Sequence, residues 1–146
     1  MTDFMTREQR SRAMSHVRSS ETQLEKLVRS ELHKKGFRFR KNVKELPGSP
    51  DIVLPKHKAV VFVHGCFWHG HQDCPAAKLP EVNHAFWEEK ITATAERDRR
   101  QQEELLQLGW RVGTVWGCSL KPQTRRQKTL ERLSRWIVSD RVCDDF

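Results

Sequence analysis

Residues 59–64, AVVFVH, form a continuous apolar run suited to the central strand of a sheet. PKHK, residues 55–58, turns the chain back from the preceding DIVL, so the two apolar stretches pair as an antiparallel hairpin. With the turn centred on Lys56 and His57, that pairing brings Asp51 opposite the Phe62 to His64 end of the partner strand. Two polar groups, a carboxylate and an imidazole, are thereby placed at one sheet edge.

The remaining elements are arranged around this hairpin. Ser20 followed by Gln23 starts a helix with a capping box, and Leu24, Leu27, Val28 and Leu32 share one face until Gly36 stops it. Glu25 borders that face, and Glu31 lies near it. FRFRKNV, residues 37–43, alternates as a half-buried strand, and LPGSP breaks the chain before DIVL. Residues 83–108 contain neither Gly nor Pro, which predicts a long helix ended by Gly109. RVGTVW is a further strand, GCSLKP a loop, and Leu130, Leu133 and Ile137 mark a last amphipathic helix. Helix, three strands, helix, strand, helix describes an α/β domain: a mixed central sheet flanked by helices. The expected division is a basic arm over residues 1–20, the domain over 21–138 and a loose tail over 139–146.

At 146 residues the chain accommodates one core. No stretch approaches the roughly 18 apolar residues of a membrane span, and MTDFMTREQR lacks the apolar run of a secretory leader. The expectation is a cytoplasmic protein. Its net charge of +8 is uneven: residues 1–58 carry 14 Lys and Arg against 7 Asp and Glu, the rest 13 against 12. A basic surplus confined to one region favours a polyanionic partner, nucleic acid first, because neutralised phosphates release counterions.

The loop after the hairpin, HGCFWHGHQDC, holds three histidines and two cysteines within residues 64–74. Cys66, His71 and Cys74, joined by Cys118 from the loop after the later strand, make a Cys3His set of the kind that closes a tetrahedron around structural zinc. Such a set leaves no position for catalytic water and staples the loop to the sheet. Cys143 is left over as an ordinary thiol. His64 and His69 are then left free, and the hairpin brings Asp51 near His64. A carboxylate for a hard divalent cation, with imidazoles that exchange protons, suits phosphodiester hydrolysis.

The Pro50-Asp51 opening followed by a hairpin resembles the PD-(D/E)xK nuclease superfamily, although Phe62, Val63 and His64 stand where that superfamily carries an acid and a lysine. The chain is much more similar to one branch of it, the very-short-patch repair endonucleases. RSRAMSHVRSSET, LPGSPDIVLP, VFVHGCFWHGHQDC, FWEEKI, ERDRR and LGWRVGTVWGCSL carry the resemblance, in order, over residues 7 to about 138.

That resemblance implies a restriction-endonuclease-like domain that recognises a T:G mismatch left by deamination of 5-methylcytosine and nicks 5′ to the mispaired T. It implies Mg2+ on Asp51 and the main-chain carbonyl of Val63, with Glu25 reaching the ion through water. His69 is implied as general base, His64 as the phosphate contact and Asp98 as the group orienting one histidine. Cys66, His71, Cys74 and Cys118 match the zinc ligands, with one residue more between His71 and Cys74 than in the family pattern. Phe67, Trp68 and Trp87 are implied as wedges from the major groove and Met14 from the minor groove; Phe86, adjacent on the helix, is expected to face the core. Wedges of this kind unstack a mismatched step more cheaply than a paired one. Arg12 and Arg18 of the arm would hold phosphates on the far side of the duplex. A cytosine methyltransferase, the mismatch-repair matchmaker and a repair polymerase are implied as functional partners, and an asymmetric target suggests a monomer. Two other readings share these residues: a zinc-stapled DNA-binding module without catalysis, and a nuclease with the same machinery but another trigger.

Overall fold

The computed structural model describes residues 23–146. The basic arm, with Arg12, Met14, Arg18 and the Ser20 cap, lies outside the described residues. Helix α1 occupies residues 23–34 of the described part. It is followed by β1 (Arg40–Lys41), β2 (Ile52–Leu54), β3 (Ala59–His64), α2 (His84–Gln107), β4 (Arg111–Trp116), α3 (Gln123–Ile137) and β5 (Cys143–Asp145). The strands form one sheet in chain order, β1 to β5. β1, β2 and β3 run antiparallel, whereas β4 joins β3 in parallel and β5 joins β4 in parallel.

The expected α/β architecture, a mixed sheet flanked by three helices, is present. All six residues of β3 are buried, as a central strand requires. Its side chains alternate between two cores. Ala59, Val61 and Val63 join Val28, Leu32, Leu130, Leu133 and Ile137 on the α1 and α3 side. Val60 and Phe62 join Leu105 of α2 on the other. The hairpin pairs Leu54 with Ala59, Val53 with Val60 and Ile52 with Val61. A 3-10 turn over Pro55–His57 makes the reversal, closed by Lys58 in the left-handed region. α2 ends where it should: Gly109 takes φ +92°, a value that L side chains rarely adopt.

Two expectations need correction. Only Arg40 and Lys41 of FRFRKNV pair as a strand. Phe37 and Phe39 pack against the first core from the segment before it, so their alternation reports burial without ladder pairing. The tail from Ser139 is not loose: β5 pairs with β4, and Phe146 is only 5% exposed. SDRVCDDF shows no apolar period because strand pairing here uses main-chain groups, with Phe146 N–H donating to Thr114 O (2.7 Å) and Trp116 N–H to Phe146 O (2.9 Å). Arg111 secures the approach to this strand. Its guanidinium donates to the carbonyls of Trp136 (3.1 Å), Ile137 (2.5 Å) and Arg141 (3.2 Å), and lies over the Trp136 ring. It thereby satisfies the last carbonyls of α3 with a cation. Among the described residues, no helix is long and apolar enough to cross a membrane.

Candidate active site

The carboxylate end of the hairpin opens into a cleft of about 440 Å3, lined by Glu25, Asp51, Val63, His64, His69 and Asp98, with Lys44 and Arg97 among its walls. Each acid or imidazole comes from a different element or loop. Register places Asp51 one step beyond the last β2–β3 pair, and the Val63 N–H donates to Asp51 Oδ2 at 2.7 Å. Burial pushes the Asp51 carboxyl up to about 7, the Val63 amide opposes that, and the facing Glu25 adds to it. A buried carboxylate faced by a second, partly exposed one forms a donor set suited to a cation. Of the two α1 acids, Glu25 enters the cleft, while Glu31 turns aside to pair with Lys34 at 3.6 Å.

His64 ends β3 and is 5% exposed. Burial, and then the neighbouring His69, hold its imidazole down to about 3, so it stands neutral. The rings of His64 and His69 are stacked, with centroids 3.8 Å apart and planes within 4°. His69 Nδ1–H donates to Asp98 Oδ2 of α2 at 2.6 Å. With Nδ1 carrying that proton, Nε2 is left as the acceptor, the tautomer a general base needs. Asp98 lies about halfway along α2, and nothing in its local sequence marks it as different from the other acids there.

The loop beyond His64 brings Cys66, His71, Cys74 and Cys118 together, with one donor atom from each within 4.8 Å of the others. His71 Nδ1 lies 3.6 Å from Cys118 Sγ, and the Cys118 N–H donates to Cys66 Sγ at 3.4 Å. The chain passes from His71 to Cys74 through a turn in which Asp73 adopts φ +56°. Gly70 seats the loop on α2: at φ +62° a Cβ there would meet Ile91 Cγ2 at 2.8 Å. Burial pushes the Cys66 thiol up to about 12. A cation among the sulfurs reverses that preference, because coordination deprotonates a thiol. This cluster could hold a metal ion. Cys143 sits apart, exposed on β5.

Phe67, Trp68 and Trp87 form one aromatic group, half-buried, with edge-on contacts at 5.2, 5.5 and 6.0 Å. Phe86 does not face the core. It is 58% exposed and packs edge-on against Trp87 at 5.3 Å. The Lys90 ammonium lies 5.7 to 5.9 Å from the ring centroids of Trp68, Phe86 and Trp87, within range of a cation–π attraction. Sequence reasoning missed Lys90, although its helical spacing of three and four from Trp87 and Phe86 was available.

The family described as DNA mismatch endonuclease Vsr matches residues 2–75. The Type II nicking enzyme V.NmeAIP of Neisseria meningitidis serogroup A is 48% identical over 94% of this chain and 97% of its own. The Type II nicking enzyme V.XorIIP of Xanthomonas oryzae pv. oryzae is 50% identical over 82% of this chain and 88% of its own. The DNA mismatch endonuclease Vsr of Escherichia coli K12 is 39% identical over 96% of this chain and 90% of its own. Matched by that family over residues 2–75, and 39% identical to its Escherichia coli member over 96% of this chain, the protein belongs to the DNA mismatch endonuclease Vsr family.

Proposed function

We propose that this DNA endonuclease nicks one strand 5′ to the T of a T:G mismatch produced by deamination of 5-methylcytosine, and so begins a very short repair patch. The observation that carries the reading is the 2.6 Å His69–Asp98 pair facing the same cleft as Asp51 and Glu25. It supplies an oriented base beside a carboxylate pair, which phosphodiester hydrolysis needs and a binding module does not. The relatives named as nicking enzymes support single-strand cutting.

His69 Nε2 takes a proton from the attacking water, while Asp98 keeps the ring in the required tautomer and stabilises the imidazolium that results. His64, neutral and buried, contributes a ring N–H toward the scissile phosphate. Asp51 and the Val63 carbonyl, with Glu25 through a water, would hold Mg2+, which when bound supplies Lewis-acid stabilisation of phosphate charge. Cys66, His71, Cys74 and Cys118 would hold a structural zinc ion, which fixes the loop without taking part in cutting.

Phe67, Trp68 and Trp87 enter the base stack from the major-groove side, and Met14 of the arm enters from the other groove, while Arg12 and Arg18 hold phosphates. The enzyme acts as a monomer in the cytoplasm on nucleoid DNA. Its functional partners are a cytosine methyltransferase, the mismatch-repair matchmaker and a repair polymerase.

The test is a panel of duplexes of identical flanking sequence, carrying T:G, each other mismatch, or none. Unstacking costs a few kcal/mol at a paired step and less at a mismatched one, so nicking of T:G is expected to exceed that of the paired duplex by on the order of 100-fold. Equal rates on mismatched and paired duplexes would move the trigger from the mispair to a site sequence.

A further inference from the structure

The Cys/His cluster and the candidate catalytic histidines are joined by an aromatic residue that the function above leaves unused. Trp116 ends β4, and the parallel β3–β4 register sets it directly beside His64. Its indole stacks on His71, with centroids 4.1 Å apart and planes within 5°. The same indole stands edge-on to His64 at 5.3 Å and 75°. His64 in turn lies flat on His69, and His69 ends the row on Asp98. The Trp116 backbone is itself anchored, because its main-chain N–H donates to the Phe146 carbonyl, next to β5, at 2.9 Å. Cys118, two residues on, belongs to the cluster.

The order of rings has a mechanical consequence. A histidine ring turns about a broad, soft terminal torsion, so its orientation is set by what it packs against. His64 has His69 on one face and the Trp116 indole across its edge, with Phe62 tilted toward it at 5.5 Å. The indole is held in turn between that ring and the cluster residue His71. We propose that Trp116 is a positioning residue that couples the Cys/His cluster to the catalytic histidines, fixing the rings of His64 and His69 relative to the stapled loop. The proposal rests on the reading of His64 and His69 as catalytic and of the cluster as a metal site. Trp116 touches neither substrate nor reacting atoms in this account. It acts through His64.

The decisive comparison is steady-state nicking of the T:G duplex by the parent protein, Trp116→Leu, Trp116→Met and Trp116→Phe, with zinc content and melting temperature measured on each. A displacement of about 1 Å at reacting groups can cost as much as 100-fold in rate. The Leu and Met variants fill space without a flat ring. They are expected to keep one zinc per chain and an unchanged KM, while kcat falls about 10- to 100-fold. Trp116→Phe, which keeps a flat ring, restores most of kcat. Trp110→Leu, just before the opposite end of β4 and packed against the second core, is the control: it lowers the melting temperature without changing kcat.

Parent-like kcat in Trp116→Leu or Trp116→Met would overturn the coupling while leaving the catalytic reading intact. A Phe variant as slow as the Leu and Met variants, or a rate loss that merely follows lost zinc or a raised KM, reduces Trp116 to packing and overturns it equally. A parent protein that binds the duplex but cuts nothing removes the catalytic reading, and the coupling with it.

Discussion

Asp51→Ala is expected to abolish nicking while DNA binding persists. Asp51 is the carboxylate that the hairpin register delivers to the cleft, held by the Val63 amide and faced by Glu25. Lewis-acid stabilisation at such a site is worth several kcal/mol, and each 1.36 kcal/mol is a factor of ten, so the loss should be on the order of 1,000-fold or more. The fold is not the casualty. Burial raises this carboxyl from 3.8 to about 7, so its ionised form is disfavoured in the folded chain relative to the unfolded one. The stability penalty grows as pH rises from the lower value to the higher, and the alanine variant lacks it. In the absence of divalent ions Asp51→Ala is therefore expected to melt no lower than the parent at pH 7. Single-turnover cleavage, duplex binding by fluorescence anisotropy and a melting curve check the three parts. A variant that still cuts at a tenth of the parental rate would remove Asp51 from the chemistry.

Loss of the Cys/His cluster should have the second largest effect, and of a different kind. Cys118→Ser removes one donor from a set whose atoms lie within 4.8 Å. Metal binding at structural Cys/His sites is coupled directly to folding. A weakened site that costs about 3 kcal/mol would lower the melting temperature by roughly 6 to 12 °C in a domain of this size. Activity should fall further than stability, because His69 lies between Cys66 and His71 on the same loop, and its hold on Asp98 depends on that loop staying seated against α2. Extraction of the parent with a zinc chelator should reproduce both changes, and added zinc should reverse them. A chelated protein that melts and cuts like the untreated one would leave the cluster without the stapling role.

The legible parts of this structure were those in which one residue type has one physical use. The AVVFVH run, the PKHK turn and the Gly- and Pro-free span before Gly109 each specified an element, and the hairpin register followed from the turn. That register alone brought Asp51 to Val63. The cysteines and histidines of one short loop could be grouped because few other arrangements bring Cys66, His71 and Cys74 together. β5 was not legible, since SDRVCDDF carries no apolar alternation and its pairing draws on main-chain groups and one terminal aromatic. Phe86 was misread because a single phenylalanine on a polar helix says nothing of which side another element covers. Asp98 could be singled out only through the family resemblance, as a helix rich in acids gives no reason to choose it. Trp116 was available in principle: once RVGTVW is aligned in parallel with AVVFVH, the tryptophan must end beside His64.

The most direct test of the central claim is to map the cut. The unmodified protein is incubated with Mg2+ and a T:G duplex whose two strands carry different 5′ labels, and the products are sized beside a sequence ladder. A single nick on the T-bearing strand, at the phosphate 5′ to that T, with the G-bearing strand intact, is the predicted result. A duplex that is bound with T:G preference yet left whole in both strands would contradict it, and would make the molecule a zinc-stapled reader of mismatches without a catalytic function.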